Sequence, residues 1–168
     1  MDRQPMDLAG YREHALHGPC FICRLVAGDP AYAHEIVYEN AEHLAFLDKW
    51  PVLAGKLLVV PKRHLEHAVT DLTEPEYLAL MATVRLVALA AEDVLGGERT
   101  YLFSLGSQAG NSHLHWHVAR LPHGVPYEQQ QFEALAFGNG VLAYTPAERS
   151  ALADRLRRAV AARVAAAD

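Results

Sequence analysis

Apolar and polar positions change period several times along this chain, and each change marks a different kind of element. Residues 7–17 read as a short amphipathic helix, ended by the helix-breaking pair Gly18-Pro19. Three strand-like runs follow at residues 34–39, 43–48 and 56–60, with turn chemistry at Asn40 and Gly55 between them. Such close spacing suits hairpins and hence antiparallel pairing. Thr73 and Glu76 then form a T-x-x-E capping box, which predicts a helix running to about Leu95, where Gly96-Gly97 stops it. Arg85 is its main charge between Glu76 and Glu92. A helix apolar on most sides must be covered on most sides, by its own sheet and by a partner subunit.

Residues 100–105 and 113–121 read as two further strands, and the turn-rich, polar stretch 122–140 as an irregular loop. Thr145, Pro146 and Glu148 start a final helix over about 146–166, with a capping box and a proline in its first turn. Leu152, Leu156, Val160 and Val164 lie on one stripe of it, leaving Arg149, Asp154, Arg157 and Arg158 as solvated residues. No repeat or linker divides the chain. The expectation is one α+β domain over residues 1–168, with about five mainly antiparallel strands and two major helices.

Composition narrows the class of protein. The 168 residues carry a net charge of −5, with 51% hydrophobic and 21% charged, which is globular rather than disordered. A mildly acidic balance without a basic tail argues against a nucleic-acid-binding role, which needs clustered phosphate-neutralising charge. The most apolar stretch, 78–91, is interrupted by Arg85 and falls short of the roughly 20 residues that cross a bilayer. The first residues lack the apolar core of a signal peptide. These features predict a cytoplasmic protein with no membrane partner. Cys20 and Cys23, the only two cysteines, close too small a loop to staple a fold, so redox or metal chemistry suits them better.

Ten histidines are the compositional oddity. Three of them alternate in His113-Leu114-His115-Trp116-His117-Val118-Ala119. On a strand this puts three imidazoles on one face and Leu114, Trp116 and Val118 on the other. Such a row is a catalytic array or part of a metal site, since both use nitrogens of tunable protonation; the plainer alternative is three solvent-facing histidines on an edge strand. The preceding turn, residues 106–112, combines small residues with amides and hydroxyls and suits a backbone nest for phosphate.

Residues 113–119 resemble the signature of the histidine triad (HIT) proteins, His-φ-His-φ-His-φ-φ with φ apolar. Cys20-Phe21-Ile22-Cys23, Val37-Tyr38-Glu39-Asn40, Ala45-Phe46-Leu47-Asp48 with Pro51, and Leu58-Val59-Val60-Pro61-Lys62-Arg63-His64 are similar to further family segments, so the resemblance covers about residues 20–121. It implies a HIT-like fold and a homodimer. It also implies nucleotidyl transfer or hydrolysis, with a purine nucleotide or dinucleotide as substrate. His115 occupies the position that attacks the α-phosphorus, and a neutral imidazole is a competent nucleophile near pH 7. By the same resemblance His113 and His117 complete the catalytic row. Asp48 takes the ribose hydroxyls, Phe46, Phe21 and Ile22 wall the base, and Ser107, Gln108, Asn111 and Ser112 are candidates for the phosphate. Cys20, Cys23, His64 and His113 match a structural zinc set found in some bacterial members, with no cofactor needed for the chemistry itself.

Two positions depart from the family pattern. Ala109-Gly110-Asn111-Ser112 runs directly into His113, where members commonly have two further residues. Lys56 follows Gly55 where many members carry histidine, and either adds positive charge at the pocket mouth or is surface. The remaining histidines, His14, His17, His34, His43, His67 and His123, read as surface or loop residues, with His67 and His123 able to approach the pocket. Two other classes of function compete with the enzyme: a nucleotide-binding regulator with little turnover, and a metalloenzyme whose triad itself holds a catalytic metal.

Overall fold

The computed structural model describes residues 2–106 and 112–166. In chain order the elements are β1 (Arg3–Gln4), α1 (Leu8–His17), α2 (Phe21–Val26), β2 (Ile36–Glu39), β3 (His43–Leu47), β4 (Leu57–Pro61) and α3 (Glu74–Leu95). These are followed by β5 (Arg99–Phe103), β6 (Trp116–Leu121), α4 (Phe132–Leu135), β7 (Val141–Leu142) and α5 (Pro146–Ala165). Five strands form one antiparallel sheet in the order β2-β3-β4-β6-β5, and β1 pairs with β7 in a separate two-stranded ribbon. The α+β architecture expected from the sequence is the one observed.

The two long helices begin as their capping boxes predict. The Thr73 N–H donates to Glu76 Oε2 over 2.8 Å, and Thr145 makes the same 2.8 Å bond to Glu148. Both helices cover one face of the sheet. Leu80, Val84, Val87 and Ala91 of α3 and Leu152 and Leu156 of α5 bury their side chains against Ala45, Leu47, Leu57, Val59 and Val118. Between α3 and β5 the chain reverses at Gly97 with φ +100°, where a Cβ would sit 2.5 Å from the Leu121 carbonyl oxygen, so no other residue fits there without moving backbone. Among the described residues no helix is long and apolar enough to cross a membrane.

Several sequence expectations are corrected. The strand expected over 113–121 begins only at Trp116. The β4–β6 register pairs Val59 with Trp116, so Leu114 would fall opposite Pro61, which has no N–H to donate. The ladder therefore stops, and the Leu114 N–H turns to the Leu65 carbonyl at 2.5 Å. The alternation survives: Leu114, Trp116 and Val118 face the helix-covered core. Residues 122–140 are not one irregular loop but contain α4 and two short 3₁₀ turns, 127–129 and 137–139. Arg149 and Arg157 are not merely solvated; Arg157 donates to the Ile36 carbonyl at 2.6 Å and to Glu35 at 2.8 Å, tying α5 to the entrance of β2. His43 is a buried residue whose Nδ1 meets Thr83 Oγ1 of α3 at 2.9 Å, and His34 is half-buried. His67 and His123 are exposed.

Candidate active site and metal cluster

Residues paired across a sheet share a face. The register links Phe46 to Leu58, Leu58 to His117, and His117 to Phe103, so these four form one row across the face opposite α3 and α5. Asp48 and Lys56 lie one pleat further along, joined by the Asp48 N–H to Lys56 carbonyl bond at 2.9 Å. The sheet thus gathers an imidazole, a carboxylate, an ammonium and two aromatic rings on one side.

His115 stands just before β6 and is 8% exposed. Its Nδ1 lies 2.7 Å from the His113 carbonyl oxygen. A carbonyl only accepts, so Nδ1 carries the proton and Nε2 carries the lone pair. Burial, and secondarily Lys56, hold the imidazole below its ordinary value, which keeps it neutral near pH 7. Ser104 Oγ donates to the His115 carbonyl at 2.8 Å and steadies its backbone. The ring of His117 lies 4.8 Å from that of His115, nearly perpendicular, and stacks on Phe103 at 4.6 Å. Burial first, then Lys56 and His115, push His117 down to about 3. Its buried Nδ1 has no hydrogen-bond partner among the described residues.

Lys56 is buried, and its Nζ pairs with Asp48 Oδ2 at 2.9 Å. The other Asp48 oxygen accepts from the Trp50 N–H at 3.0 Å. Burial raises the Asp48 carboxyl, but Lys56 and the Trp50 amide outweigh it and hold the group below the usual carboxylate range. The loop between these residues is braced from the start of α5. Arg149 donates to the Asp48 and Lys49 carbonyls at 3.5 and 3.2 Å, and the Gly55 N–H donates to the Tyr144 hydroxyl at 3.0 Å.

Of the residues expected to wall a base, Ile22 of α2 and Phe46 of β3 have 0% exposure and lie in one buried cluster, while Phe21 is half-buried. His34 stacks on Phe21 at 5.5 Å and meets Phe46 edge-on at 5.0 Å. Its Nδ1 donates to the Tyr32 carbonyl at 2.7 Å, so its Nε2 is an acceptor. Ser107, Gln108 and Asn111 lie outside the described residues, and Ser112 is exposed.

Cys20, Cys23, His64 and His113 converge, with their ligand atoms all within 4.8 Å of one another. The sulfur–nitrogen distances are 3.5 Å (Cys20 to His113), 3.2 Å (Cys23 to His64) and 3.5 Å (Cys23 to His113). Tetrahedral zinc with its usual bond lengths separates sulfur and nitrogen ligands by about 3.5 Å. Both imidazoles turn Nδ1 to the sulfurs and Nε2 to an oxygen, the Pro61 carbonyl at 2.8 Å for His113 and Glu66 Oε1 at 3.4 Å for His64, the outer contacts that orient ligating histidines. The donor set therefore fits a tetrahedral metal ion. Burial and the adjacent Cys20 push the Cys23 thiol up to about 11, a preference that a cation between the sulfurs reverses. Among the described residues this is the one such group, and the triad itself does not converge on a point.

The HIT domain family model matches residues 31–122, more than half of the chain. The chain belongs to the HIT family. An uncharacterized HIT-like protein of Mycobacterium tuberculosis is 32% identical over 154 residues, covering 89% of this chain and 98% of that one. The Bacillus subtilis protein hit is 36% identical over 105 residues, 61% of this chain and 70% of its own. Among solved HIT structures, a hypothetical histidine triad nucleotide-binding protein from Sulfolobus tokodaii superposes with a TM-score of 0.69 at 26% identity, covering 85% of this chain and 93% of that one. A Zn-bound histidine triad family protein from Mycobacterium smegmatis gives 0.66 at 30% identity, covering 88% and 96%.

Sequence reasoning missed His34, Ser104, Arg149 and Tyr144 as parts of the site. His34 left no local signal, because its ring partners Phe21 and Phe46 lie in other elements. The other three act through hydrogen bonds to backbone, which leave no pattern in the sequence.

Proposed function

We propose that the protein is a nucleotidyl hydrolase or transferase that cleaves at the α-phosphate of a nucleoside phosphate compound, a dinucleoside polyphosphate or a nucleoside phosphoramidate. One observation carries the reading: the His113 carbonyl pins the Nδ1–H of a buried, neutral His115, leaving the Nε2 lone pair as a nucleophile. Nε2 forms a bond to the α-phosphorus as the bond to the leaving group breaks, and the leaving group departs with the electron pair. The positive charge gained by the imidazole is held at Nδ1–H by the same carbonyl. Water then attacks phosphorus, Nε2 leaves as neutral imidazole, and the water proton passes to solvent. His117 faces the same phosphoryl group. Asp48 takes the ribose hydroxyls, and Phe21 with Phe46 and Ile22 behind it walls the base.

We further infer that Cys20, Cys23, His64 and His113 hold zinc in a structural role. A closed Cys₂His₂ set leaves no open coordination position, and the bound ion would supply cross-linking of α2 to the segment before β6 rather than Lewis-acid chemistry. Support for a homodimer comes from α3, where Leu78 is 59% exposed next to exposed Ala82. A monomeric mass at micromolar concentration in analytical ultracentrifugation contradicts the dimer.

The function is tested with an adenosine phosphoramidate and a dinucleoside polyphosphate, with and without chelator, on wild type and His115→Ala. Loss of about a thousandfold or more in turnover is expected for the variant. A wild type that binds nucleotide without turnover supports a regulator instead. Activity that survives in His115→Ala but vanishes with chelator supports a catalytic metal.

A further inference from the structure

We propose that Lys56 is a catalytic residue, its ammonium contacting the non-bridging oxygens of the reacting phosphoryl group while Asp48 holds it in place; this role rests on the nucleotide reading above. A nucleoside phosphate brings at least one negative charge onto this sheet face, and phosphoryl transfer depends chiefly on neutralising that charge. Among the described residues the buried cationic side chains are Lys56 and Arg120. Arg120 lies on the α3 side of the sheet, donating to Glu92 and to the Gly96 and Gly97 carbonyls. Residues 107–111, Ser-Gln-Ala-Gly-Asn, carry no cation. Arg149 is committed to loop carbonyls. Lys56 is therefore the buried cation on this face available to the phosphate.

Its placement agrees. Asp48 Oδ2 takes one of the three ammonium donors, and Nζ makes no other hydrogen bond among the described residues. Nζ lies 6.0 Å from the centre of the Phe103 ring, which also stacks on the His117 imidazole. The Trp50 amide fixes the free oxygen of Asp48, so the carboxylate cannot swing away and take the lysine with it. A lone buried ion pair contributes little to stability, and an apolar pair of similar shape would serve a purely structural purpose as well. A lysine placed there with two donors to spare suits an anion-binding task. During transfer the ammonium neutralises charge on the non-bridging oxygens; no bond to Lys56 forms and no proton leaves it.

The test is calorimetric binding of adenosine monophosphate and of adenosine to wild type, Lys56→Met and the double variant Lys56→Met with Asp48→Asn. The double variant removes both charges together, so a folding defect from an unpaired carboxylate does not obscure the result. The ratio of the two affinities isolates the phosphate. It is expected to fall at least tenfold in both variants, with Lys56→Arg keeping most of it. A ratio unchanged in Lys56→Met or in the double variant overturns the role of Lys56 alone, leaving the nucleotide reading intact. A wild type that binds neither ligand overturns the nucleotide reading and this inference with it.

Discussion

The His113 backbone carbonyl lies 2.7 Å from His115 Nδ1, while the His113 ring presents its own Nδ1 to Cys20 and Cys23 at 3.5 Å each. One residue thus joins the Cys₂His₂ group to the proposed nucleophile. Its side chain meets the two cysteines of the α2 turn, and its main chain sets the tautomer and direction of the His115 imidazole. Pro61 makes this possible. By ending the β4–β6 ladder it frees the segment before Trp116 to leave the sheet, and its carbonyl takes the His113 Nε2–H.

Metal content and turnover should therefore fall together. Elemental analysis of purified wild type is expected to show about one zinc per chain, as a four-ligand closed site requires. Cys23→Ser should lose most of that metal, melt at lower temperature and turn over more slowly, because His113 is no longer held. Full zinc occupancy in Cys23→Ser, or full activity without metal, contradicts the link.

Arg149 braces the Asp48–Gly55 loop through two carbonyls. Arg149→Met should raise KM about threefold to tenfold, the equivalent of ~1 kcal/mol, and leave kcat nearly unchanged. Steady-state kinetics decides this; an equal fall in kcat at constant KM would place Arg149 in the chemical step instead.

His34 stacks on Phe21 and meets Phe46 at its edge. Ring pairs of this kind are worth about 0.5–1.5 kcal/mol, so His34→Ala should weaken adenosine monophosphate binding about threefold to tenfold while leaving ribose 5-phosphate unaffected. Equal weakening of both ligands would mean that His34 supports the fold and not the base.

His43 is buried against Thr83 of α3, and burial holds its imidazole below the ordinary value despite the opposing charge of Glu42. The folded state binds a proton less readily than the unfolded state, whose histidine titrates near ~6.5. Stability is thus fully present above that pH and is lost as pH falls through the folded value. Melting temperature should drop as pH falls below about 6.5. The drop should be shallower in His43→Leu; identical slopes in the two proteins would assign the acid sensitivity to other groups.

Much of this was legible from residue patterns, for identifiable reasons. Capping boxes at Thr73 and Thr145 announce helix starts because they satisfy specific orphan amides, and the alternation of residues 113–119 separates imidazoles from core because strand geometry has a period of two. Tertiary facts were hidden. β1 and β7 are two residues each, too short for any period to show. The start of β6 depends on which residue of β4 falls opposite Leu114. Lys56 has no local mark of burial, since its partner Asp48 is reached only once the hairpin closes. His43 reads as a polar strand end until α3 supplies Thr83.

The covalent intermediate on His115 is the central claim, and rapid-quench labelling tests it most directly. Wild type mixed with substrate labelled at the α-phosphate and stopped in alkali, where a phosphorus–nitrogen bond to imidazole survives, should carry label on the peptide containing His115. That label should chase into product on further incubation, and His115→Ala should carry none. Product formed at full rate with no label at His115 at any time would contradict the account.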